Sequence, residues 1–183
     1  ICIDFETYVE DETRYSALEA MMAKVHTVGL ATVDYSISVP WNLLVEHADE
    51  RFRDLLYDDS IEKTFHNKTY DLAILMKLGY EVRGRLHCSL LGHHAAFPGM
   101  AHGLQTVTTQ FFAVGPWKAE HRSLAEENPE ESAVYNCKDA QAGAKIIAPL
   151  LMFQKRYGVE RVYEVDCEMA QAAAEMHLDG VPI

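Results

Sequence analysis

The chain opens on Ile1-Cys2-Ile3-Asp4-Phe5-Glu6-Thr7, an apolar run that reads as a buried strand and yet carries two carboxylates. Successive strand residues point to opposite faces, so Asp4 and Glu6 share one face while Ile3 and Phe5 share the other. A fold that accepts this strand must bury Ile3 and Phe5 in a core and accommodate two acids that project together from the strand's end. Alone, such a pair is usually solvated surface. The rest of the sequence decides whether this one is.

With 183 residues and 49% hydrophobic content, the chain is sized for one domain with an appendage. Val25 to Val33 and Ser36 to Trp41 read as strands joined by the Asp34-Tyr35 turn, giving an antiparallel meander. Residues 46 to 57 predict a helix through Phe52, Leu55 and Leu56, and Ile61 to Phe65 another strand. Asn67 or Thr69 can cap a helix that runs to about Leu78 with Gly79 at its C′ position, and Tyr80 to Leu86 predict a strand. Residues 88 to 97 and 103 to 112 predict two short helices around the Pro98-Gly99 turn, and Val114 to Asn128 a loop. Asn128-Pro129-Glu130-Glu131 supplies a cap, a first-turn proline and a third-position glutamate, so a helix starts there. Pro149 is expected to kink or end it, and an amphipathic helix from about Glu160 to His177 closes the chain. The pattern is mixed α/β, with an early meander and later helices packed on the sheet.

Sixteen Lys and Arg against 28 Asp and Glu give a net charge of −12, opposite in sign to the footprint of a protein that grips long nucleic acid. Any nucleic-acid contact is therefore expected to be short. No apolar stretch approaches the roughly 20 residues of a membrane span, so a soluble chain without a membrane partner is expected. No initiator methionine or turn precedes the first strand, which reads as a piece of a longer polypeptide. Cys2, Cys88, Cys137 and Cys167 form no CxxC pair, which favours a reducing, cytosolic setting. His87, Cys88, His93 and His94 match no standard zinc spacing.

Tyr135 and Asp139 lie four apart on the capped helix and so share a face, and Asp71 lies one and two turns before Leu75 and Leu78, on an inward face. Burying several carboxylates costs several kcal/mol each or forces them to take up protons. Hard divalent cations remove that penalty. An all-oxygen set suits Mg2+ or Mn2+, and two such ions about 4 Å apart stabilise the attacking and leaving oxygens of a phosphoryl displacement. A phenol, with an ordinary pKa of about 10, is a poor base at neutral pH, so Tyr135 is better suited to orienting a water.

Asp4-Phe5-Glu6-Thr7, His66-Asn67 through Tyr70-Asp71, and Tyr135 through Asp139 resemble the three motifs of the DEDDy class of DnaQ-like 3′–5′ exonucleases. That resemblance implies a ribonuclease H-like α/β fold, a mixed five-stranded sheet with an antiparallel meander and then parallel strands, flanked by helices. The chain is most similar to the proofreading domain of family A, DNA polymerase I-like, polymerases, phage-type members included. Its tail, Glu175 to Ile183, is similar to the segment that leads such enzymes toward the polymerase. The resemblance implies an exonuclease domain over residues 1–157 and a C-terminal helical segment over 158–183, with a polymerase region in the same polypeptide. It implies removal of nucleoside 5′-monophosphates from single-stranded or frayed DNA 3′ ends, with two Mg2+ or Mn2+ ions, in a bacterial or phage-infected host cytosol.

Carried over by position, Asp4, Glu6 and Asp139 hold the ion that activates water, Asp4 is shared with a second ion, and Asp71 supports that ion through water. Tyr135 orients the water. Thr7, Asn67 and Tyr70 match positions that contact the 3′-terminal nucleotides, and His66 sits beside them. Gly103-Leu104-Gln105 resembles the family's leucine-bearing helix start, and Trp117-Lys118 a Trp-Lys pair of phage-type members. Where many relatives carry an Asp-Thr pair this chain reads His87-Cys88-Ser89, which implies altered local support of the site. A ribonuclease D-like enzyme that trims RNA 3′ ends shares the same catalytic set, and a non-catalytic structural relative is the third alternative.

Overall fold

A computed structural model describes residues 1–11, 13–15, 19–117 and 128–180. Lys118 of the Trp-Lys pair, most of the expected 114–128 loop and Val181 to Ile183 of the tail lie outside the described residues. Five strands appear: β1 (Cys2–Tyr8), β2 (Lys24–Ala31), β3 (Ser36–Pro40), β4 (Lys63–Phe65) and β5 (Leu86–Cys88). They form one sheet in the order β3-β2-β1-β4-β5, antiparallel from β3 to β1 and parallel from β1 to β5. This is the mixed sheet expected, with the strand bearing Asp4 and Glu6 at its centre. Around it lie α1 (Trp41–His47), α2 (Asp49–Tyr57), α3 (Lys68–Lys77), α4 (Ser89–Ala96), α5 (Leu104–Phe111), α6 (Pro129–Tyr157) and α7 (Glu160–Asp179).

The alternation of β1 sorts its residues as the sequence demands. Ile3 and Phe5 enter the main core with Val28 of β2, Leu44, Phe52 and Leu56 of α1 and α2, and Leu72 and Leu75 of α3. Cys2, on the face shared with Asp4 and Glu6, packs on Ala31, Ala140 and Ala144 beneath α6. Two glycines let α6 lie that close to the sheet. A Cβ on Gly143 of α6 would stand 2.5 Å from the Cys2 sulfur, and one on Gly29 of β2 would stand 2.9 Å from the Asn136 amide. α7 packs on the α3 side, where Ala174 joins the main core and Tyr163 and Cys167 cover Cys88.

Several boundaries differ from expectation. The helix expected over residues 46–57 is two helices: it begins at Trp41, directly after Pro40, and breaks at Ala48, whose φ is −141°. The strand expected from Tyr80 forms only at Leu86–Cys88, because Gly84 adopts φ +80° and turns the chain beforehand. Gly79, with φ +77°, does follow the C-cap of α3. Pro149 neither ends nor divides α6, which continues to Tyr157. A helix-interior proline costs about 3 kcal/mol, and burial of Ile146 and Leu150 on either side, both 0% exposed, offsets it.

Candidate active site

The carboxyl ends of the parallel strands β1 and β4 bring the motif residues together. Asp4 pairs across the β1–β2 ladder with Gly29 and Glu6 with Thr27, after which a bulge between Glu6 and Thr7 ends the regular register. On the other side of the site, the Asn128 side chain accepts a hydrogen bond from the Glu131 amide at 3.3 Å, with Pro129 in the first turn, and this cap fixes the phase of α6. Ala140, Gly143 and Ala144 pack α6 on Cys2 of β1, so Asp139 turns toward the sheet, and one oxygen each of Asp4, Glu6 and Asp139 lie within 4.8 Å of one another.

Asp71 leaves the first turn of α3 beside this trio. It is buried, and burial first, then Asp4 and Glu6, push its carboxyl well above the usual carboxylate range. The same surroundings raise the Cys2 thiol beneath, burial leading and Asp4 and Asp71 adding to it. Three carboxyl groups held this closely, with Asp71 buried alongside and oxygen as the donor atom, fit a hard divalent cation, which would relieve the repulsion that acts on Asp71.

Two buried contacts that the sequence reading did not anticipate orient the acids. Asn136, 0% exposed, donates through Nδ2 to Asp4 Oδ2 at 2.9 Å and to the Asp4 carbonyl at 3.3 Å, and its Oδ1 accepts from the Ser38 hydroxyl at 2.7 Å. The amide occupies the space that Gly29 leaves open, so β1, β2, β3 and α6 meet on one side chain. Trp117 donates through Nε1 to Asp139 Oδ1 at 2.5 Å, and its backbone amide donates to Gln105 Oε1 at 3.1 Å. Only the position of Asn136, one residue after Tyr135 and on the face of Ala140 and Gly143, could have signalled its role. Replacing Asn136 by alanine is expected to slow turnover about 10- to 100-fold, as loss of an orienting partner does at metal sites, and steady-state rates beside a melting curve check it.

The remaining motif residues spread outward from the acids. The Tyr135 ring is half-buried against the cluster of Leu104, Val107, Trp117 and Ile146. Thr7 Oγ1 and the Tyr70 hydroxyl share a hydrogen bond of 2.6 Å. Asn67 stands exposed at the N-cap of α3 without a side-chain capping bond, and His66 Nδ1 meets Ser89 Oγ at 2.9 Å. The segment that replaces the Asp-Thr pair is held by hydrogen bonds: His87 Nδ1 and the Cys88 amide both lie 3.1 Å from the Tyr163 hydroxyl of α7, and Ser89 braces His66. Beside it, the buried Lys68 ammonium donates to the Cys167 carbonyl of α7 at 2.5 Å.

No family model and no curated protein matches the sequence. Solved structures do. Brucella melitensis NrnC bound to pGG is similar over 98% of this chain and 84% of its own, with 20% identity and a TM-score of 0.77; the same protein has also been solved with bound Mg2+. Escherichia coli RNase D, an exoribonuclease involved in structured RNA processing, is similar over 98% of this chain and 45% of its own, with 19% identity and a TM-score of 0.75. The POL domain of Pol1 from M. smegmatis, in complex with DNA primer-template and dNTP, is similar over 99% of this chain and 28% of its own, with 13% identity and a TM-score of 0.76. The sheet order, the flanking helices and these likenesses together give the chain the ribonuclease H-like fold of DnaQ-like 3′–5′ exonucleases.

Proposed function

We propose that this chain is a divalent-metal-dependent 3′–5′ exonuclease that removes nucleoside 5′-monophosphates from single-stranded or frayed DNA 3′ ends. The observation that carries the reading is the convergence of Asp4, Glu6 and Asp139 within 4.8 Å, with the buried Asp71 alongside. Asp4, Glu6 and Asp139 would hold one Mg2+ or Mn2+ ion, and Asp4 with Asp71 a second. Such ions, when bound, make hydroxide available near neutral pH and neutralise charge on the phosphate.

The protein's own residues do the positioning. Asn136 fixes one carboxylate and Trp117 another. Tyr135, one turn before Asp139, has the role of orienting the attacking water. Tyr70, tied to Thr7, offers a ring on which a terminal base can stack, worth about 1–3 kcal/mol. His66 and Asn67 complete the contact to the terminal nucleotides. Replacing Tyr135 by phenylalanine is expected to slow cleavage about 10- to 100-fold while metal affinity, read by calorimetry, stays unchanged.

The net charge of −12 supports a short substrate contact. The polymerase-like tail supports DNA and a polymerase region in the same polypeptide, in the cytosol of a bacterial or phage-infected host. A ribonuclease D-like reading, in which the substrate is an RNA 3′ end, is favoured by the likeness to RNase D over 98% of this chain. One assay separates them: matched DNA and RNA oligonucleotides with 3′-hydroxyl ends, with Mg2+ or Mn2+. Faster shortening of DNA, stopped by a chelator, is expected. Faster shortening of RNA overturns the substrate, and no shortening of either overturns the nuclease reading.

A further inference from the structure

We propose that a second pocket, behind the carboxylate centre, binds one nucleotide unit through its base and its phosphate. A cavity of about 630 Å³ opens between α5, residues 112–117 and the outer face of α6. That volume lies within the roughly 300–1,000 Å³ of small-molecule sites. Phe112 and Trp117 supply ring surface, and Lys138, Gln141 and Lys145 supply polar atoms from one face of α6.

Among its described residues this lining carries two lysines, against the negative charge of the chain. No carboxylate stands among its described residues, although the chain carries −12 overall. Lys24 pairs with Glu10, and Lys63, Lys68 and Lys77 donate to backbone carbonyls. Lys138 and Lys145 have no such partner among the described residues and face the same cavity. Two cationic groups select an anion. Phe112, 37% exposed, offers a ring face that a bare anion leaves unused, whereas a purely apolar guest leaves both ammonium groups unmatched. A nucleotide satisfies both, and the Gln141 amide can donate to and accept from a base edge.

Position ties the pocket to the centre. Trp117 is its wall and also the donor to Asp139, and Lys138 also lines a recess of about 330 Å³ beside Tyr135. The choice of ligand rests on the nuclease reading, since that reaction supplies nucleotides in two forms: the free 5′-monophosphate, and the next units of the strand.

Titration calorimetry tests the proposal on the chain carrying Asp4→Asn in chelator, where no cleavage occurs. The probes are deoxyadenosine 5′-monophosphate, deoxyribose 5-phosphate and a single-stranded oligodeoxythymidylate of about ten nucleotides. Lys145→Glu is expected to weaken binding about tenfold or more, and Phe112→Ala about tenfold. Lys155→Glu makes the same charge change in the last turn of α6 and should leave binding unaltered. Weakening of the monophosphate identifies free nucleotide as the guest, and weakening of the oligonucleotide alone identifies the strand. The proposal falls if neither variant weakens either probe more than Lys155→Glu does, or if deoxyribose 5-phosphate binds as tightly as the nucleotide. Should Lys145→Glu fail to fold, the exposed Phe112 carries the test alone. Binding that depends on Lys145, alongside an unsubstituted chain that cleaves nothing with metal, would keep the pocket and remove the nuclease reading; cleavage by the unsubstituted chain without Lys145-dependent binding would do the opposite.

Discussion

Asp4→Ala, Asp139→Ala and Asp71→Asn are each expected to abolish metal-dependent shortening of a 3′-hydroxyl oligonucleotide, a drop of about 10³-fold or more. That magnitude corresponds to several kcal/mol of transition-state stabilisation assigned to the ion site. Asp71→Asn carries a second expectation of opposite sign. Its carboxyl is buried and faces Asp4 and Glu6, so its charge opposes folding of the metal-free chain. Removing that charge should stabilise the apo chain by at least about 1 kcal/mol, or about 2–4 °C in the thermal midpoint for this size. Loss of activity together with higher apo stability separates a metal site from a structural acid, whose removal lowers both. Retained cleavage in any of the three variants, or a lower apo midpoint for Asp71→Asn, would sink the site assignment.

Gly143→Ala is expected to damage both stability and turnover although it touches no motif residue. The new methyl would stand 2.5 Å from the Cys2 sulfur, so either β1 or α6 must move. Overpacking of this kind costs about 1–3 kcal/mol, set against a helix-propensity gain of about 1 kcal/mol for alanine over glycine. The kinetic consequence is larger, because Asp4 rides on β1 and Asp139 on α6, and a displacement of about 1 Å between reacting groups costs about 10²-fold in rate. Cys2→Ala should restore most of the loss, since it removes the atom in the way. A double-mutant cycle reads this directly: strong coupling is expected, and additive effects would show that the spacing of helix and sheet is set elsewhere.

The parts of the site that share an element could be read from the sequence. Strand parity brings Asp4 and Glu6 together, and a spacing of four on one helix aligns Tyr135 with Asp139, so local geometry sufficed for both pairs. The antiparallel meander followed from the two apolar runs around the Asp34-Tyr35 turn, while the parallel strands beyond it were implied by the family resemblance. Contacts between distant elements could not be read. Asn136 and Asp4 are 132 residues apart, and their bond exists only because Gly29 leaves room for the amide. Trp117 reads in the sequence as half of a Trp-Lys pair, and nothing local says that its indole meets Asp139. The Pro149 expectation failed for a related reason: helix rules describe an isolated segment, while Ile146 and Leu150 are anchored by α5 and the 117 region. Gly84 shows the converse, a local backbone preference that ended a run of strand-forming residues.

Lys68 reads in the sequence as one more surface lysine, yet the residue is 2% exposed and its ammonium reaches the backbone of α7. Burial lowers its pKa, and a buried ammonium without an acceptor costs several kcal/mol. The bond therefore acts as a mechanical link, because Lys68 begins the helix that carries Asp71 three residues later. A displacement of α7 at Cys167 would pass through this bond to the first turn of α3, the turn that places Asp71 beside Asp4 and Glu6.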